Sequence, residues 1–322
     1  MRRERGRFFT ALFRSMFRKY VRERPEMFLS EAAVRERLSY RQLIPAMKQA
    51  LIDFSLQKVV QPLRLRLPVP GQPALFLVMP AIYGEVMGAK LVSVFPDNAG
   101  RGLDTHFAVI QLFRTDTGEP LATIEARLIT EMRTAAVSAV ATDLLAAPDA
   151  RVLAILGSGV QARAHVAALQ CVRRFEEVRI WGRNREHARK LAEQVGAKVM
   201  TAEAAVRGAD VVVTATAASE PVLLGRWLKQ GAHINALGAV GAGRRELDDE
   251  AMQGLLVVES REAARRESED IRSSGARIDA ELGELLTAAT PKRQAGRTIF
   301  KSVGLAVEDM AAAKLVYDAA RG

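Results

Sequence analysis

The sequence predicts an α/β protein in which a doubly wound parallel sheet follows an α+β domain. From residue 151 onward, short and fully apolar runs alternate with amphipathic helical runs, which is typical of parallel strands covered by helices on both faces. Before that point, two helical runs precede a series of strand-like runs, and this order indicates an α+β domain over roughly 31–128. The length of 322 residues is compatible with two domains.

The composition is that of a globular protein without covalent cross-links. Apolar residues make up 49% of the chain and charged residues 26%, and no apolar run approaches the roughly 20 residues that span a bilayer. The single cysteine, Cys171, excludes an internal disulfide and indicates a reducing compartment, so we expect a cytoplasmic protein. The four histidines are scattered along the chain, and we expect no metal site.

Residues 1–26 form a basic extension. They contain nine Lys/Arg and three Glu, which gives +6 of the total net charge of +10. Apolar pairs such as Phe8/Phe9 and Leu12/Phe13 recur at helical spacing opposite an arginine-rich face. Such a helix could contact a membrane surface or a partner, or act as a targeting peptide, but we favour an extension outside the folded domain. Because most of the excess charge lies here, we expect no nucleic-acid partner for the rest of the chain.

The elements of the first domain can be assigned in order. Residues 31–57 predict one or two helices, with Ser39 as the N-cap of the second. Strand-like runs follow, and the turn signal TDTG joins the last two in a hairpin. These runs are LRLRLPV, ALFLVMPA, GAKLVSVFP, THFAVIQLFRT and PLATIEA. Residues 129–148 predict a long helix with Thr130 as its N-cap and Pro148 at its end. The final helical run, VEDMAAAKLVYDAA, is expected to pack back onto this domain.

A glycine-rich loop opens the second domain. Gly157, Gly159 and Ala162 have the spacing G-x-G-x-x-A, directly after the apolar strand VLAIL and at the start of a helix. In a Rossmann fold the first glycine permits the tight turn, the second lets the backbone approach a pyrophosphate, and the small third residue lets helix and strand pack closely. The helix N-terminus adds free N–H groups and a favourable dipole. The expected cofactor contacts in this loop are Gly157, Ser158, Gly159, Val160 and Gln161.

The end of the next strand favours NADP(H) over NAD(H). NAD sites usually place Asp or Glu there to bind the ribose 2′-hydroxyl. Here the strand VRIW is followed by Gly182, Arg183 and Asn184. No carboxylate would repel a 2′-phosphate, and the Arg183 guanidinium would bind it. We therefore expect Arg183 and Asn184 to contact the cofactor.

Six motifs together resemble the ornithine cyclodeaminase/mu-crystallin family. They are LFLVMPA, KLVSVFPDN, MRTAAVSAVAT, LGSGVQA, INALGA…REL and KSVGLAVEDMAAAKLVY, in order and with natural spacing from about Met27 to the C-terminus. The family includes ornithine cyclodeaminase, an archaeal-type alanine dehydrogenase, ketimine reductases and pyrroline-2-carboxylate reductases. The resemblance implies a homodimer formed through the N-terminal domain. It also implies a discontinuous substrate-binding and dimerisation domain over 27–130 plus 299–322, and an NAD(P)-binding Rossmann domain over 131–298.

The resemblance further implies basic residues that hold a carboxylate substrate. Lys90 in GAKLVS matches the family's active-site lysine, and Arg133 in MRTAA matches an arginine that binds the substrate carboxylate. Arg64 in QPLR matches a third carboxylate contact, with Arg66 close by. A lysine in an apolar strand is costly without a purpose, and an arginine fork suits a carboxylate. Arg133 is also expected in the first turn of its helix, where the dipole favours an anion. Lys90 and Arg133 are thus the candidate catalytic residues, and Arg64 joins them in binding substrate.

The glycine-rich bend INALGAVGAG departs from the cyclodeaminase pattern. The cyclodeaminase has a proton-handling aspartate where this sequence has Val240, and a second acid near the position of Leu77. Valine cannot transfer a proton, whereas reduction of a preformed imine requires chiefly alignment with the cofactor. We therefore expect an NADPH-dependent reductase of cyclic imine carboxylates, such as Δ1-pyrroline-2-carboxylate or Δ1-piperideine-2-carboxylate. In this role Lys90 would orient the carboxylate or donate the proton.

Other activities remain open at this point. Reductive amination of a 2-oxo acid, or its joining to an amine, would keep the enzyme class but change the reaction. Ornithine cyclodeamination and an alanine dehydrogenase-type reaction would both act on an amino acid. A non-catalytic, NADPH-dependent small-molecule binding protein is the alternative outside the enzymes.

The resemblance also adds residues around the nicotinamide. Thr214 and Thr216, at the end of VVVTAT, would lie beside its ribose. Val240, Ser302 and Gly304 would lie near the nicotinamide ring.

Three polar residues of the helices are expected to have no part in the chemistry. Asp309 is expected to be a structural helix residue. His165 and His187 lie on helical runs of the second domain and are expected at the surface.

Overall fold

Two β-sheets, one mixed and one parallel, organise the protein. The structure is a computed structural model, and it describes residues 27–241, 243–288 and 296–322. The basic extension at 1–26 lies outside the described residues.

The first sheet comprises six strands, and five of them are the strand-like runs of the sequence. Their bounds are β1 Met27–Leu29, β2 Leu65–Pro68, β3 Leu75–Tyr83, β4 Val86–Val94, β5 His106–Arg114 and β6 Pro120–Glu125. The spatial order is β1-β6-β5-β4-β3-β2. β1 pairs in parallel with β6, and all other neighbours are antiparallel. The sequence patterns did not predict β1, because three residues are too few for an alternation to be visible.

The second sheet comprises eight parallel strands in the order β13-β12-β14-β11-β10-β7-β8-β9. Their bounds are β7 Val152–Leu156, β8 Glu177–Trp181, β9 Lys198–Val199, β10 Val211–Thr214, β11 His233–Ala236, β12 Leu255–Val258, β13 Ala280–Glu281 and β14 Thr298–Lys301. The strands β8 and β9 are added on one side of β7, and the next strand, β10, lies on the other side of β7. The carboxyl edge between these two strands is therefore the topological switch point, where such sheets bind ligands.

Ten α-helices lie within the described ranges. Their bounds are α1 Glu31–Arg37, α2 Tyr40–Ser55, α3 Arg127–Leu145, α4 Val160–Gln170, α5 Arg185–Val195, α6 Ala202–Val206, α7 Arg261–Glu267, α8 Glu269–Ser274, α9 Leu282–Thr287 and α10 Ala306–Arg321. Short 3-10 turns occupy Pro96–Arg101 and Gly225–Trp227. None of these helices is long and apolar enough to cross a membrane.

The two faces of the first sheet have different environments. On the inner face, Met79, Lys90 and Ile110 are aligned across β3, β4 and β5 and are all buried. Helix α10 packs against β3, β4 and β5 of this sheet, and α10 also contacts α2 and α3. The outer face carries exposed apolar side chains, among them Phe76 and Phe107. Strand alternation therefore directs Lys90 into the interior.

Helix α3 begins earlier than its sequence predicts. It starts at Arg127, after Ala126, and Thr130 is an internal residue whose Oγ1 donates to the Ala126 carbonyl oxygen at 2.8 Å. The prediction of Thr130 as N-cap was wrong because a tertiary ion pair between Arg127 and Glu31, 2.7 Å long, helps to extend the helix by a turn. Arg133 consequently lies in the second turn of α3, beyond the reach of most of the helix dipole.

Candidate functional site

The loop after β7 leaves space for a phosphate. Gly157 has φ 141°, and a Cβ added there would lie 2.4 Å from the Ala215 carbonyl oxygen, so the tight turn requires glycine. At Gly159 an added Cβ would meet no heavy atom of the described residues within 4 Å. Gly159 precedes α4 and provides no side-chain cap, so the N–H groups at the start of that helix are available to an anion. The neighbouring Val160 is 51% exposed, which leaves the loop open to solvent.

The end of β8 supplies a free cation beside this loop. A Cβ at Gly182 would lie 2.7 Å from Ser158 Oγ, so the absence of a side chain lets the two segments pack together. Arg183 is exposed and forms no hydrogen bond or ion pair with any residue that the structure describes. Asn184 Oδ1 accepts from Glu186 N at 3.0 Å and His187 N at 3.1 Å, and so caps α5. Arg183 and Asn184 thus lie beside the glycine-rich loop, at the carboxyl edge of the sheet.

A buried carboxylate fixes the next strand ends. Glu246 is completely buried and accepts hydrogen bonds from Thr214 Oγ1 at 2.9 Å and from Thr216 N and Oγ1 at 2.6 and 2.7 Å. It also accepts from Gly238 N at 2.8 Å and Ala239 N at 3.2 Å. Burial raises the pKa of Glu246. Both threonine hydroxyls thus donate to Glu246. Only the backbone of residues 214–216 is then available to line a cofactor site.

A second buried carboxylate orders the turn after β14. Ser302 Oγ donates to Glu259 Oε1 at 2.6 Å, and the N–H groups of Val303 and Gly304 donate to Glu259 Oε2 at 2.8 Å each. Ser302 is 2% exposed, so its hydroxyl is directed inward. Gly304 has φ 78°, and the turn leads directly into α10.

The start of α10 brings together a buried cluster of charged residues. Lys90 Nζ lies 2.8 Å from Asp309 Oδ1, Arg133 Nε donates to the same oxygen at 3.0 Å, and Arg133 Nη1 donates to Glu308 Oε2 at 2.6 Å. The exposed fractions are 1% for Lys90, 4% for Arg133 and 0% for both acids. We call Lys90, Arg133, Glu308 and Asp309 the charged cluster. It contains two of the basic residues that the sequence predicts for substrate binding.

Burial and neighbouring charges shift the proton affinities in the charged cluster. Burial lowers the pKa of Lys90 to about 8, Asp309 opposes this shift, and Arg133 adds to it. Burial, followed by the charge of Glu259, raises the pKa of Glu308. Glu308 Oε1 has no hydrogen-bond partner among the described atoms. At neutral pH the cluster therefore contains an ammonium close to its titration point and a carboxyl that favours its protonated form.

Arg64, the residue before β2, reaches the same place. Its Nη2 donates to the carbonyl oxygens of Val303 and Gly304 at 2.5 Å each, and its Nε forms an ion pair with Glu267 at 2.9 Å. A Cβ at Gly304 would lie 2.6 Å from Arg133 Nη1, so the two arginines meet on either side of this glycine. The structure thus brings the three predicted basic residues together around Gly304 and Asp309.

An open cleft borders this meeting point. It is lined by Arg64, Glu267 and Gly304 together with apolar groups from Phe54, Leu63 and Met79, among others. Among the residues described, no group of three or more His, Cys, Asp or Glu could hold a metal ion. Val240 is half-buried and packs against the hydrophobic core that includes the inner face of the first sheet.

Asp309 and His165 differ from their sequence-based expectations. Asp309 is the residue that connects Lys90 to Arg133, so the prediction of a purely structural helix residue missed its place in the site. His165 is completely buried, with Nε2 2.9 Å from Ser138 Oγ, and the prediction of a surface residue was wrong. It lies on the face of α4 that packs against α3, and burial lowers its pKa to about 4. His187 is exposed, as predicted.

Comparison with known proteins gives a consistent set of relatives. The family model described as "Ornithine cyclodeaminase/mu-crystallin family" matches residues 24–322. Ketimine reductase mu-crystallin of Mus musculus is 45% identical over 306 residues, which cover 92% of this chain and 98% of the mouse protein. A solved structure of Thermococcus litoralis Δ(1)-pyrroline-2-carboxylate reductase in complex with NADH and L-proline has a TM-score of 0.87 and 36% identity, and the match covers 92% of this chain and 97% of that one. An archaeal alanine dehydrogenase dimer with bound NAD also has a TM-score of 0.87, with 32% identity and coverage of 92% and 96%.

Proposed function

This chain belongs to the ornithine cyclodeaminase/mu-crystallin family, and from that premise we propose that it is an NADPH-dependent reductase of cyclic imine carboxylates. The observation that carries the proposal is the buried contact of Lys90 and Arg133 with Asp309, next to the cleft at Arg64. Two of the similar proteins are a ketimine reductase and a pyrroline-2-carboxylate reductase, which supports an imine as the substrate. Δ1-Pyrroline-2-carboxylate and Δ1-piperideine-2-carboxylate are the substrates to examine first.

The substrate carboxylate would bind where the arginines meet. Arg133 uses Nε and Nη1 for the charged cluster, and its Nη2 has no hydrogen-bond partner among the described residues. Arg64 binds two backbone carbonyl oxygens, which a carboxylate can replace as an acceptor of higher charge. Both guanidinium groups are held in place by buried acids, so they are oriented before the substrate arrives.

Lys90 is suited to supply the proton that imine reduction requires. Reduction adds a hydride to the imine carbon and a proton to its nitrogen, and the nicotinamide supplies the hydride when bound. A general acid works best when its pKa is close to the working pH, and burial brings the pKa of Lys90 to about 8. Asp309 holds the ammonium in position and keeps that pKa from falling further.

The cofactor preference rests on residues of this chain. Arg183 is an exposed cation without a hydrogen bond or ion pair in the described structure, directly after β8. No carboxylate stands at Gly182, Arg183 or Asn184 to bind a ribose 2′-hydroxyl. The solved relatives contain NADH and NAD, so both kinds of nucleotide belong in the test. Gly157, Ser158, Gly159, Val160 and Gln161 would hold the pyrophosphate.

A homodimer would cover the outer face of the first sheet. Phe76, Ile82, Phe107 and Val109 are 36–47% exposed on this face, together with Leu65 and Leu67 of β2. A contiguous apolar surface of this kind is typical of a permanent interface. One of the solved relatives is described as a dimer. We further propose a cytoplasmic location, which the single, exposed and unpaired Cys171 supports.

The decisive experiment is a spectrophotometric screen of NADPH and NADH oxidation with the two cyclic imines. Pyruvate with ammonia or methylamine tests reductive amination in the same assay. Ornithine with NAD⁺ tests cyclodeamination, which regenerates its NAD⁺ and is therefore followed by the release of ammonia. We expect turnover of at least one cyclic imine, faster with NADPH than with NADH. Nucleotide binding without turnover of any imine would favour a binding protein, and ammonia release from ornithine would favour a cyclodeaminase.

A further inference from the structure

Arg66 is an exposed cation on β2 that the proposed mechanism does not use. It pairs across β2 and β3 with Leu77, which is buried on the same face as Met79 and Lys90. Its strand neighbours Leu65 and Leu67 alternate to the other side and belong to the exposed apolar face. Strand alternation therefore points Arg66 toward the site and away from the outer face.

The Arg66 guanidinium lies over the glycine-rich bend that follows β11. A Cβ added at Gly241 would lie 3.1 Å from Arg66 Nη2, and Gly241 has φ 101°. The Gly241 N–H donates to the Glu267 carbonyl oxygen at 2.7 Å, which connects the bend to the residue that pairs with Arg64. The glycine thus permits a close approach of the arginine to the backbone of the bend.

The charge of Arg66 is not balanced by a direct partner. Arg66 forms no hydrogen bond or ion pair with any other described residue, although it acts on Glu267 through its field. Glu267 is already paired with Arg64 at 2.9 Å, and Asp309 is shared by Lys90 and Arg133. The acids of the site are therefore committed to other cations, and Arg66 remains available to an anion that enters from solvent.

We propose that Arg66 binds a second anionic group of the substrate, so that the preferred imine is a dicarboxylate. This inference rests on the proposed function and adds a substrate class to it. In the sheet, Arg66 is separated from Lys90 by two strand spacings and two residues, which places their Cα atoms about 12 Å apart. Long cationic side chains can span that separation. They suit a small ring whose first carboxylate binds at Arg64 and Arg133, beside Lys90, and whose second carboxylate binds Arg66.

The test compares ligands that differ by one carboxylate. Titration calorimetry of the NADP⁺-loaded protein would compare piperidine-2-carboxylate with cis-piperidine-2,6-dicarboxylate. These are the reduced forms of Δ1-piperideine-2-carboxylate and Δ1-piperideine-2,6-dicarboxylate. We expect the dicarboxylate to bind about 10-fold more tightly. Arg66→Met should abolish this difference while leaving the affinity for the monocarboxylate unchanged. Arg41→Met removes an exposed arginine from α2 and serves as the matched control. This variant should still bind the dicarboxylate more tightly than the monocarboxylate.

The outcomes separate this inference from the proposed function. The kcat/KM ratio of Δ1-piperideine-2,6-dicarboxylate to Δ1-piperideine-2-carboxylate should follow the binding ratio in both variants. Equal binding of the two ligands would overturn the inference even if both imines are reduced. A loss of both affinities in Arg66→Met would also overturn it, because Arg66 would then bind the carboxylate that all substrates share. A binding difference without turnover of either imine would support the second anion site and overturn the proposed reductase.

Discussion

Two regions would bind their ligands in different ways. They are the glycine-rich loop of residues 157–161, which we call the cofactor loop, and the charged cluster. The loop around Gly159 offers backbone N–H groups and open space, with the exposed cation of Arg183 beside it. The charged cluster consists of side chains that already contact one another in the interior, as Lys90 and Arg133 do at Asp309. The groups of the loop are free to bind a ligand, whereas the groups of the cluster already form ion pairs within the folded protein.

This difference predicts separate consequences for mutation. A change in the loop can remove cofactor binding without a cost in folding, because nothing in the described structure occupies the space beside Gly159. A change in the charged cluster leaves a charge buried without its partner, which costs stability as well as activity. The predictions below test that separation, from the largest expected effect to the smallest.

Asp309→Asn should have the largest effect, because both Lys90 and Arg133 lose their shared carboxylate. We expect kcat/KM for the imine to fall by about 10²–10³-fold and the free energy of unfolding by about 3 kcal/mol. If charged Lys90 donates the proton, activity is lost as pH rises through a pKa of about 8. Asp309 raises that pKa, so the variant should lose activity about one pH unit lower.

The pH profile distinguishes this role from a structural one. A variant that only unfolds more easily would lose activity without a shift of the alkaline limb of kcat/KM. Asp309→Glu should restore part of the alkaline limb, since it retains the charge. An unshifted limb in Asp309→Asn would exclude Lys90 as the titrating group.

The same comparison explains what the sequence could and could not predict. The cofactor loop could be recognised from a local pattern, because Gly157, Gly159 and Ala162 follow one another closely, directly after a strand. The contact between Lys90 and Asp309 spans 219 positions, so no spacing rule connects the two residues. A signal was nevertheless present, since two acids in the apolar run GLAVEDMAAAK are as costly to bury as a lysine in an apolar strand.

The fold shows the same division between local and distant information. The alternation of apolar runs predicted β3, β4 and β5, and helical periodicity predicted α2 and α3. The start of α3 was predicted from the local capping preference of Thr130, and a contact between Arg127 and Glu31 in a distant helix favours the earlier start. Tertiary contacts also decide the position of β1, which pairs with β6 nearly a hundred residues later.

Gly159→Ala tests the cofactor loop. Gly159 has φ −91° and open space at its Cβ position, so the unfolding temperature should not change. The added methyl group should occupy the space of the pyrophosphate, and the Kd for NADPH, measured by fluorescence, should rise about 10²-fold. Gly100→Ala introduces the same group into open space elsewhere and should change neither quantity. A loss of stability in Gly159→Ala would show that the loop is constrained by the fold after all.

Arg183→Met tests the proposed preference for a 2′-phosphate. The Kd for NADPH should rise about 10-fold, because one charge-assisted contact is lost, while the Kd for NADH stays the same. Arg174→Met removes another exposed arginine from the surface and should leave both values unchanged. An equal loss of both nucleotides would place Arg183 elsewhere than at the 2′-position.

Glu308→Gln should have the smallest effect, although Glu308 is adjacent to Asp309 and equally buried. Burial and the charge of Glu259 raise the pKa of Glu308, which favours its neutral form. Glutamine is neutral too and retains an oxygen for Arg133 Nη1, which Glu308 Oε2 contacts at 2.6 Å. At pH 7 we therefore expect kcat/KM to change less than about 3-fold, with the alkaline limb unmoved. A loss as large as that in Asp309→Asn would mean that Glu308 is ionised and that the cluster requires two negative charges. The pair of variants thus decides whether one carboxylate or two orient Arg133 for the substrate.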